Sequence, residues 1–293
     1  MLKFKTITDE KECKSLWNIH TKKKVIWDLW DFRSCFHNKD FKFNFILGLN
    51  DKNQVGLLPL VYHKKEDIYT YFGDTFPEQN KFLIKEKKLL PDFLKQCPED
   101  TTIYYIDKSE KKFYDFEHGE KRYFLNLSRY EKDIENYLKT FSKKHRKNLK
   151  YDIKKLIENG FKAVINKKED FDKLVSFNKK KFGKESDYSD PNFVKSMKKL
   201  LEAAEKMQLL HIISLDLNGA AEAVGLGLTF NKVYYVIGSG RNPEIKNSGK
   251  LLIFEQIKHA LNLNCNEIDF LSAEAGWKEL WNLESEQMYE FYK

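Results

Sequence analysis

Hydrophobic and polar residues alternate along several short stretches in the first half of the chain, and such alternation is typical of half-buried strands. The clearest case is "FKFNFILGLN", residues 41–50, in which every second residue from Phe41 to Leu47 is apolar. The polar stretch "LNDKNQ" predicts a hairpin turn, and "VGLLPLVYHK" and "DIYTYFGD" predict two further strands. The pattern therefore predicts a strand, a turn and two more strands in succession.

The second half of the chain repeats this layout. Residues 211–240, "HIISLDLNGAAEAVGLGLTFNKVYYVIGSG", contain a strand, a polar turn, a Gly-bearing strand and a Tyr-rich strand that ends in Gly. Gly56 then corresponds to Gly225, and Gly73 to Gly238. We interpret this as one duplicated unit. A chance likeness between two ordinary hairpins is the alternative.

Between the two halves, apolar residues recur at helical spacing. Ser142 is the predicted N-cap of one helix, and Gly160 is predicted to end it. A helix within residues 81–97 is predicted to be interrupted at Pro91, and no Gly-, Ser- or Pro-rich linker separates the halves. We therefore expect two domains packed on each other. The apolar stripe of the central helix comprises Leu149, Ile153, Leu156 and Ile157.

Composition and charge limit the possible classes of binding partner only in part. The chain has 293 residues, of which 41% are hydrophobic, and this is enough for two packed units. Its formal net charge of +8 suits an anionic substrate, a phosphorylated cofactor or nucleic acid without choosing among them. The four cysteines lack CxxC spacing, so we expect no zinc site and a reducing, cytoplasmic environment. The absence of a long apolar run predicts no stable membrane insertion.

Five cations are crowded into "SKKHRKNLK", at the predicted start of the central helix. A helix N-terminus is the positive end of the dipole and ordinarily favours acids. An anion bound there would offset the repulsion, and Arg146 and Lys150, one turn apart, are the predicted anion contacts. If the helix instead runs unbroken from about residue 131, a solvated Lys-rich face is the better account.

Three motifs in a fixed order carry a resemblance to a known family. They are "SKKHRKNLK", then "VYYVIGSGRNPEIKNSGKLLIFEQIKHAL", and finally "IDFLSAEAGWKELW". In this order they resemble the double-domain GNAT-type acyltransferases, the branch that includes cellulose-biosynthesis-associated acetyltransferase-like proteins and Fem-type aminoacyltransferases. "LSAEA" stands where that pattern is usually Gly-rich. The resemblance covers the chain from about residue 130 onward and is weaker before it.

The resemblance implies an α/β fold with two GNAT-like domains, 1–129 and 130–293, each with a mixed, mostly antiparallel sheet flanked by helices. It implies an N-acyltransferase that moves an acyl group, expected to be acetyl, from acyl-CoA to an amine on a small molecule or a cell-envelope precursor. Acyl-CoA is the implied co-substrate, and no metal is expected. A Fem-type enzyme that uses aminoacyl-tRNA is one alternative. A non-catalytic nucleic-acid-binding protein, from a different class, is another.

The resemblance also implies where the donor lies. Two neighbouring strands, "VYYVIG" and "EIDFLS", would splay so that the pantetheine fits between them. The backbone of Val236, Ile237 and Gly238 would then bind the acyl carbonyl. Ser248, Gly249 and Lys250 would receive the pyrophosphate at a helix N-terminus.

Candidates for proton transfer lie in and after the predicted strand "EIDFLS". Asp269, Tyr235 and Lys278 are the predicted catalytic residues, and Glu274 is a further candidate. Lys278 is also open to interpretation as a phosphate ligand or as a surface lysine. Asp74, at the end of the equivalent strand in the first half, is predicted to border the acceptor pocket.

Overall fold

The chain forms two compact units in the structure, a computed structural model that describes residues 2–272 and 276–293. The first unit runs to Arg122 and also includes Glu286–Lys293, whereas the second is Tyr123–Ser285. The limits 1–129 and 130–293 expected from the sequence would place the last residues in the second domain. Those limits remain a prediction. The units differ from them because the final strand pairs within the first unit.

Each unit contains both strands and helices. Within the described residues the strands are, in chain order, β1 (Leu2–Ile7), β2 (Phe41–Asn50), β3 (Asn53–His63), β4 (Ile68–Tyr71), β5 (Leu83–Ile84), β6 (Thr101–Ile106), β7 (Glu117–Asn126), β8 (Lys162–Ile165), β9 (Leu210–Leu217), β10 (Ala220–Phe230), β11 (Val233–Arg241), β12 (Glu267–Asp269) and β13 (Glu284–Tyr292). The helices there are α1 (Glu10–His20), α2 (Trp30–Arg33), α3 (Leu90–Lys95), α4 (Ile134–Leu138), α5 (Lys143–Glu158), α6 (Asp170–Phe182), α7 (Pro191–Lys206), α8 (Ser248–Asn262) and α9 (Trp277–Leu280).

The sheet of the first unit has the order β1-β2-β3-β4-β6-β13, with the short β5 beside β3. β4 and β6 are parallel, and the other neighbours are antiparallel. The alternation seen in the sequence of β2 corresponds to its two faces. Phe43 and Phe45 are buried in the core of this unit, whereas Lys42 is exposed.

The sheet of the second unit has the order β8-β9-β10-β11-β12-β7. Here β11 and β12 are the parallel pair, and the last residues of β7 pair with β12 in the antiparallel sense. α8 packs on one face of this sheet. The hydrophobic core between α8 and the sheet includes Leu252, Ile257 and the ring of Tyr234.

The two units therefore share one strand order. In each, three antiparallel strands precede a parallel pair at the fourth and fifth positions, and an antiparallel strand closes the sheet. The predicted fold class is confirmed, with two α/β units, each a mixed, mostly antiparallel sheet flanked by helices.

The prediction that Pro91 interrupts a helix is wrong. Residues before it form β5 and a short 3₁₀ turn, and α3 begins at Leu90 with Pro91 in its first turn. Proline is favoured at this position because the N–H it lacks would have no partner inside the helix, and its fixed φ already fits the helix.

The start of α5 resolves a question left open by the sequence. α4 ends at Leu138, and α5 begins at Lys143 with Ser142 as its N-cap, whose Oγ accepts the N–H of His145 at 3.2 Å. The helix is therefore not continuous from residue 131. The cations lie in its first two turns, with no acid in the first turn.

Candidate functional site

A β-bulge lies at the middle of β11. Val236 pairs with Gly227 and Gly238 pairs with Leu226, so that Ile237 between them has no partner on β10. A bulge bends its strand and re-aims the backbone groups beside it. The three residues expected to bind an acyl carbonyl are thus brought together at one irregular point of the strand.

The parallel pairing of β11 with β12 ends at this same point. Its last pair is Tyr235 with Asp269. In the described residues, β11 from Val236 onward pairs with β10 alone. The carbonyl of Ser239 accepts a hydrogen bond from Asn178 Nδ2 at 2.9 Å. The resemblance implies a gap between these two strands, and their pairing ends at Tyr235 and Asp269. Within the part of the chain that the structure describes, the side of β11 turned away from β10 has no strand partner beyond this pair.

Tyr188 lies beside the bulge. It belongs to a 3₁₀ turn, Asp187–Ser189, between α6 and α7, and its side chain is buried. A Cβ on Gly238 would stand 2.8 Å from the Tyr188 hydroxyl oxygen, so the hydroxyl lies directly over bare backbone. Burial raises the pKa of Tyr188, which keeps the phenol protonated at neutral pH.

Asp269 ends β12 and is buried, with 1% of its surface exposed. The side chain therefore does not face solvent. Its Oδ1 accepts the N–H of Leu271 at 2.8 Å, and Leu271 has a left-handed φ of 57°. The carboxylate thus stabilises the turn at the point where the strands separate. Tyr235, its pairing partner on β11, is equally buried.

Lys278 occupies a position that the sequence did not indicate. It is 4% exposed, so it is not a surface lysine. Its ammonium donates to the carbonyls of Phe270 at 3.0 Å and Leu271 at 3.1 Å, and also to that of Ser272. The cation also lies 4.8 Å from the centre of the Tyr123 ring. These contacts position the chain after β12, and they do not support a phosphate-binding role. Glu274 lies outside the described residues.

The N-terminus of α8 offers free donors. The helix begins at Ser248 as predicted, and Asn247 precedes it with a φ of 64° and no side-chain cap. In the described structure no acceptor contacts the backbone N–H of Ser248 or of Gly249. The Ser248 hydroxyl itself donates to the carbonyl of Ile245 at 3.0 Å. Backbone N–H groups at a helix start are suited to receive an anion.

Arg241 adds a cation at this helix start. A Cβ on Gly249 would lie 3.3 Å from Arg241 Cδ and 3.4 Å from Nε. Lys181 lies close enough to Arg241 that burial and this second cation together lower its pKa. Lys250, predicted as a phosphate ligand, instead forms an ion pair with Asp152 of α5 at 2.6 Å.

The remaining predicted residues divide into two groups. On α5, Lys150 forms an ion pair with Glu135, whereas Arg146 has no ion-pair partner among the described residues. In the first unit, Asp74 follows β4 with a left-handed φ of 60°, and burial raises its pKa to about 6. Carboxyl groups with a raised pKa are found often at functional positions.

Sequence reasoning missed Tyr188, Asn178 and Arg241. Tyr188 and Asn178 come from elements outside the motifs, and nothing in their local sequence shows that they contact β11. Arg241 could have been predicted from the sequence. It is the first cation after the Tyr residues of the Tyr-rich strand, and it shortly precedes α8, whose start it contacts.

Among the helices of the described ranges, none combines the length and the apolar character needed to cross a bilayer.

Comparison with known proteins agrees with this geometry. Residues 143–279 match the family model described as an acetyltransferase (GNAT) domain. The solved structure of FemX matches with a TM-score of 0.64 and 10% identity, over 98% of this chain and 96% of that one. L-PGS from Bacillus licheniformis matches with a TM-score of 0.59 and 10% identity, over 97% and 91%. No curated protein sequence matches.

A third similar structure is that of a protein with two GNAT domains in tandem. A tandem GNAT protein from the clavulanic acid biosynthesis pathway matches with a TM-score of 0.55 and 12% identity, over 99% of this chain and 97% of that one. At such low identities, the three likenesses show a shared fold.

Proposed function

Because residues 143–279 match the family model of an acetyltransferase (GNAT) domain, we propose that the chain transfers an acyl group, expected to be acetyl, from acyl-CoA to an amine acceptor. The observation that carries the proposal is the separation of β11 from β12 at a β-bulge, beside an uncapped helix start. A gap in a sheet leaves backbone groups unpaired, and such groups are costly unless a ligand satisfies them. An extended pantetheine arm has amide groups that fit this need.

The donor's pyrophosphate is assigned to the start of α8. The backbone N–H groups of Ser248 and Gly249 are available there, and Arg241 lies over Gly249. Donors of this kind form charge-assisted hydrogen bonds with phosphate oxygens. Lys250 reaches the site only if its ion pair with Asp152 opens, so we give Arg241 the larger role.

The bulge in β11 is the proposed binding site for the thioester carbonyl of the donor. Backbone N–H groups of Val236, Ile237 and Gly238 would hold the carbonyl oxygen as negative charge develops on it. The neutral amine attacks the carbonyl carbon, the carbon–sulfur bond breaks, and the thiolate needs a proton. Tyr188 is the proposed proton donor, because its hydroxyl lies over Gly238 and carries its proton at neutral pH.

A base is needed to remove a proton from the ammonium group of the acceptor. Asp269 and Tyr235 remain the candidates, since they face each other at the last pair before the strands separate. Lys278 is given a positioning role, because its ammonium is bound by backbone carbonyls.

A thermal-shift titration with CoA and acetyl-CoA tests the proposal. A ligand at 100 times its dissociation constant adds about 2.7 kcal/mol of stability, so the melting temperature should rise measurably at millimolar CoA. No shift with either compound would refute the donor assignment.

Transfer from aminoacyl-tRNA is the second candidate. The observation in its favour is the start of α5, where Lys143, Lys144, Arg146 and Lys147 have no ion-pair partner among the described residues. The FemX likeness adds only the fold. A melting shift with aminoacyl-tRNA and none with CoA would select this function instead. Under either function, we propose a cytoplasmic enzyme whose acceptor is a small molecule or a cell-envelope precursor.

A further inference from the structure

The first unit contains a cavity of its own, with a volume of about 630 Å³. It lies where β2 begins, next to the segment that follows β1. Aromatic rings and polar side chains share its lining. The rings belong to His37, Phe41, Phe43, Tyr62 and Tyr69, and the other lining residues are Thr8, Glu10, Lys42 and Asn44.

One side of this cavity is a free sheet edge. β1 pairs with β2 only from Phe45 to Asn50. Over the described ranges, no strand pairs with Phe41–Asn44 on that side, and β3 pairs with them on the other. Successive residues of a strand direct their backbone N–H and C=O groups to alternate sides. The carbonyl of Asp40 accepts the N–H of Lys64 on the β3 side, so Phe41 and Phe43 direct their backbone groups to the cavity side. The Phe41 N–H donates to the carbonyl of Asn38 at 3.0 Å. The Phe41 carbonyl and both backbone groups of Phe43 are therefore the ones presented to the cavity.

The polar side chains of the cavity are also unengaged. The side chains of Glu10, Lys42 and Asn44 form no hydrogen bond or ion pair with any described residue, whereas the side chain of Glu12, on the same helix as Glu10, pairs with Lys5 at 3.5 Å. An acid and a base that line one cavity without pairing are both available to a ligand.

The aromatic rings are fixed in place. His37 stacks on Phe43 with ring centres 4.0 Å apart, and Tyr62 lies 5.0 Å from Tyr69. The Tyr62 hydroxyl donates to Asp67 at 2.6 Å. Rings held in this way can contact apolar side chains of a ligand at little entropic cost.

We propose that this cavity binds an extended peptide segment, which adds to the sheet as a strand along Phe41–Asn44. A free edge offers donors and acceptors at a two-residue repeat, and an extended backbone supplies the same repeat. The rings accept alternate side chains of that segment. Glu10 and Lys42 select a peptide that carries one basic and one acidic residue.

An array of capped hexapeptides, containing basic, acidic and aromatic residues in all orders, provides the probe. A binding sequence is then resynthesised with N-methyl groups on its odd-numbered or on its even-numbered amides. Only one edge of an added strand bonds to β2, so one methylated form should lose at least about tenfold in affinity while the other retains it. Equal affinity of the two forms would overturn the proposal, and so would the absence of any binding peptide.

Charge reversal gives a second readout on the intact chain. Lys42→Glu should weaken binding of the selected peptide by about fivefold, and a peptide with its acid replaced by a base should recover the loss. Lys52→Glu, an exposed position in the turn between β2 and β3, is the matched control and should leave affinity unchanged. Equal losses in both variants would mean a general charge effect and would contradict a docked peptide. Binding of CoA is not involved, so failure here leaves the acyl-transfer proposal untouched.

Discussion

The hydroxyl of Tyr188 lies against the backbone of Gly238, at the bulge that interrupts β11. No other amino acid fits at Gly238 unless the phenol moves, because a Cβ would stand 2.8 Å from its oxygen. The contact joins the turn between α6 and α7 to the strand assigned to the thioester.

Tyr188→Phe removes the hydroxyl and keeps the ring. We expect kcat for acyl transfer to fall by about 10²-fold or more, with little change in the dissociation constant of acetyl-CoA, since general acids contribute on this order. Steady-state kinetics and a CoA titration measure the two quantities. If kcat is unchanged, the proton comes from elsewhere.

Gly249→Glu should abolish binding of CoA while the protein stays folded. The new carboxylate would lie beside Arg241 and take the place of the pyrophosphate, and a helix start tolerates an acid well. Gly249→Ala is the control, since it needs Arg241 to shift by only a few tenths of an ångström. Calorimetric titration of both variants decides the matter, and normal CoA affinity in the glutamate variant would place the phosphate site elsewhere.

Lys278→Met should destabilise the protein by about 3 kcal/mol, because buried carbonyls after β12 lose their donor. Urea unfolding measures the change. Lys258→Met, an exposed lysine on α8, is the control and should stay within about 0.5 kcal/mol. A stable Lys278→Met variant without activity would argue for a direct catalytic role instead.

Arg146→Ala should weaken binding of the anionic ligand that contacts the start of α5, whether this is acyl-CoA, tRNA or a phosphorylated acceptor. The expected loss is about tenfold, since a charge-assisted hydrogen bond is worth roughly 1.5–3 kcal/mol. Lys150→Ala should have a smaller effect, because Glu135 already neutralises that ammonium. Titrations at two salt concentrations should show a loss that shrinks as screening increases. Unchanged affinity of both variants for acyl-CoA, tRNA and phosphorylated acceptors would make the start of α5 a solvated face.

Asp74→Asn should make stability less dependent on pH. The folded pKa of Asp74 is raised to about 6, against about 3.9 in an unfolded chain. Between these values the native state binds more protons, so this carboxyl lowers stability as pH rises through about 4 to 6. The variant should be more stable at pH 8, by at most about 3 kcal/mol, and equal to the parent near pH 3.

The asparagine also tolerates the left-handed backbone at this position. Asp100→Asn, an exposed aspartate with a φ of 59°, is the matched control. Thermal melts across pH would contradict the assignment if the two variants shifted alike.

Local patterns predicted much of the fold. The alternation in β2, the cap at Ser142 and the start of α8 at Ser248 all depend on residues within a few positions of one another. The final strand, "ESEQMYEFY", was missed because its polar residues give no clear alternation, and its partner β6 lies far away in the chain.

The candidate site was predictable in its backbone and less so in its side chains. The position of the strand separation was implied by the family resemblance that the three motifs carry. The burial of Lys278 does not, because its carbonyl partners come together only once the turn at Leu271 forms. Tyr188 was missed for the same reason, since its role depends on a contact with a strand far along the chain.

The membership of β13 in the first unit has a consequence for biosynthesis. Until Glu286–Lys293 leaves the ribosome, β6 has an open edge, and the synthesis of the intervening second unit takes roughly 10 to 30 s at 5–20 residues per second. An unpaired edge is a template for aggregation during that time. The first unit to be translated is thus the last to be completed.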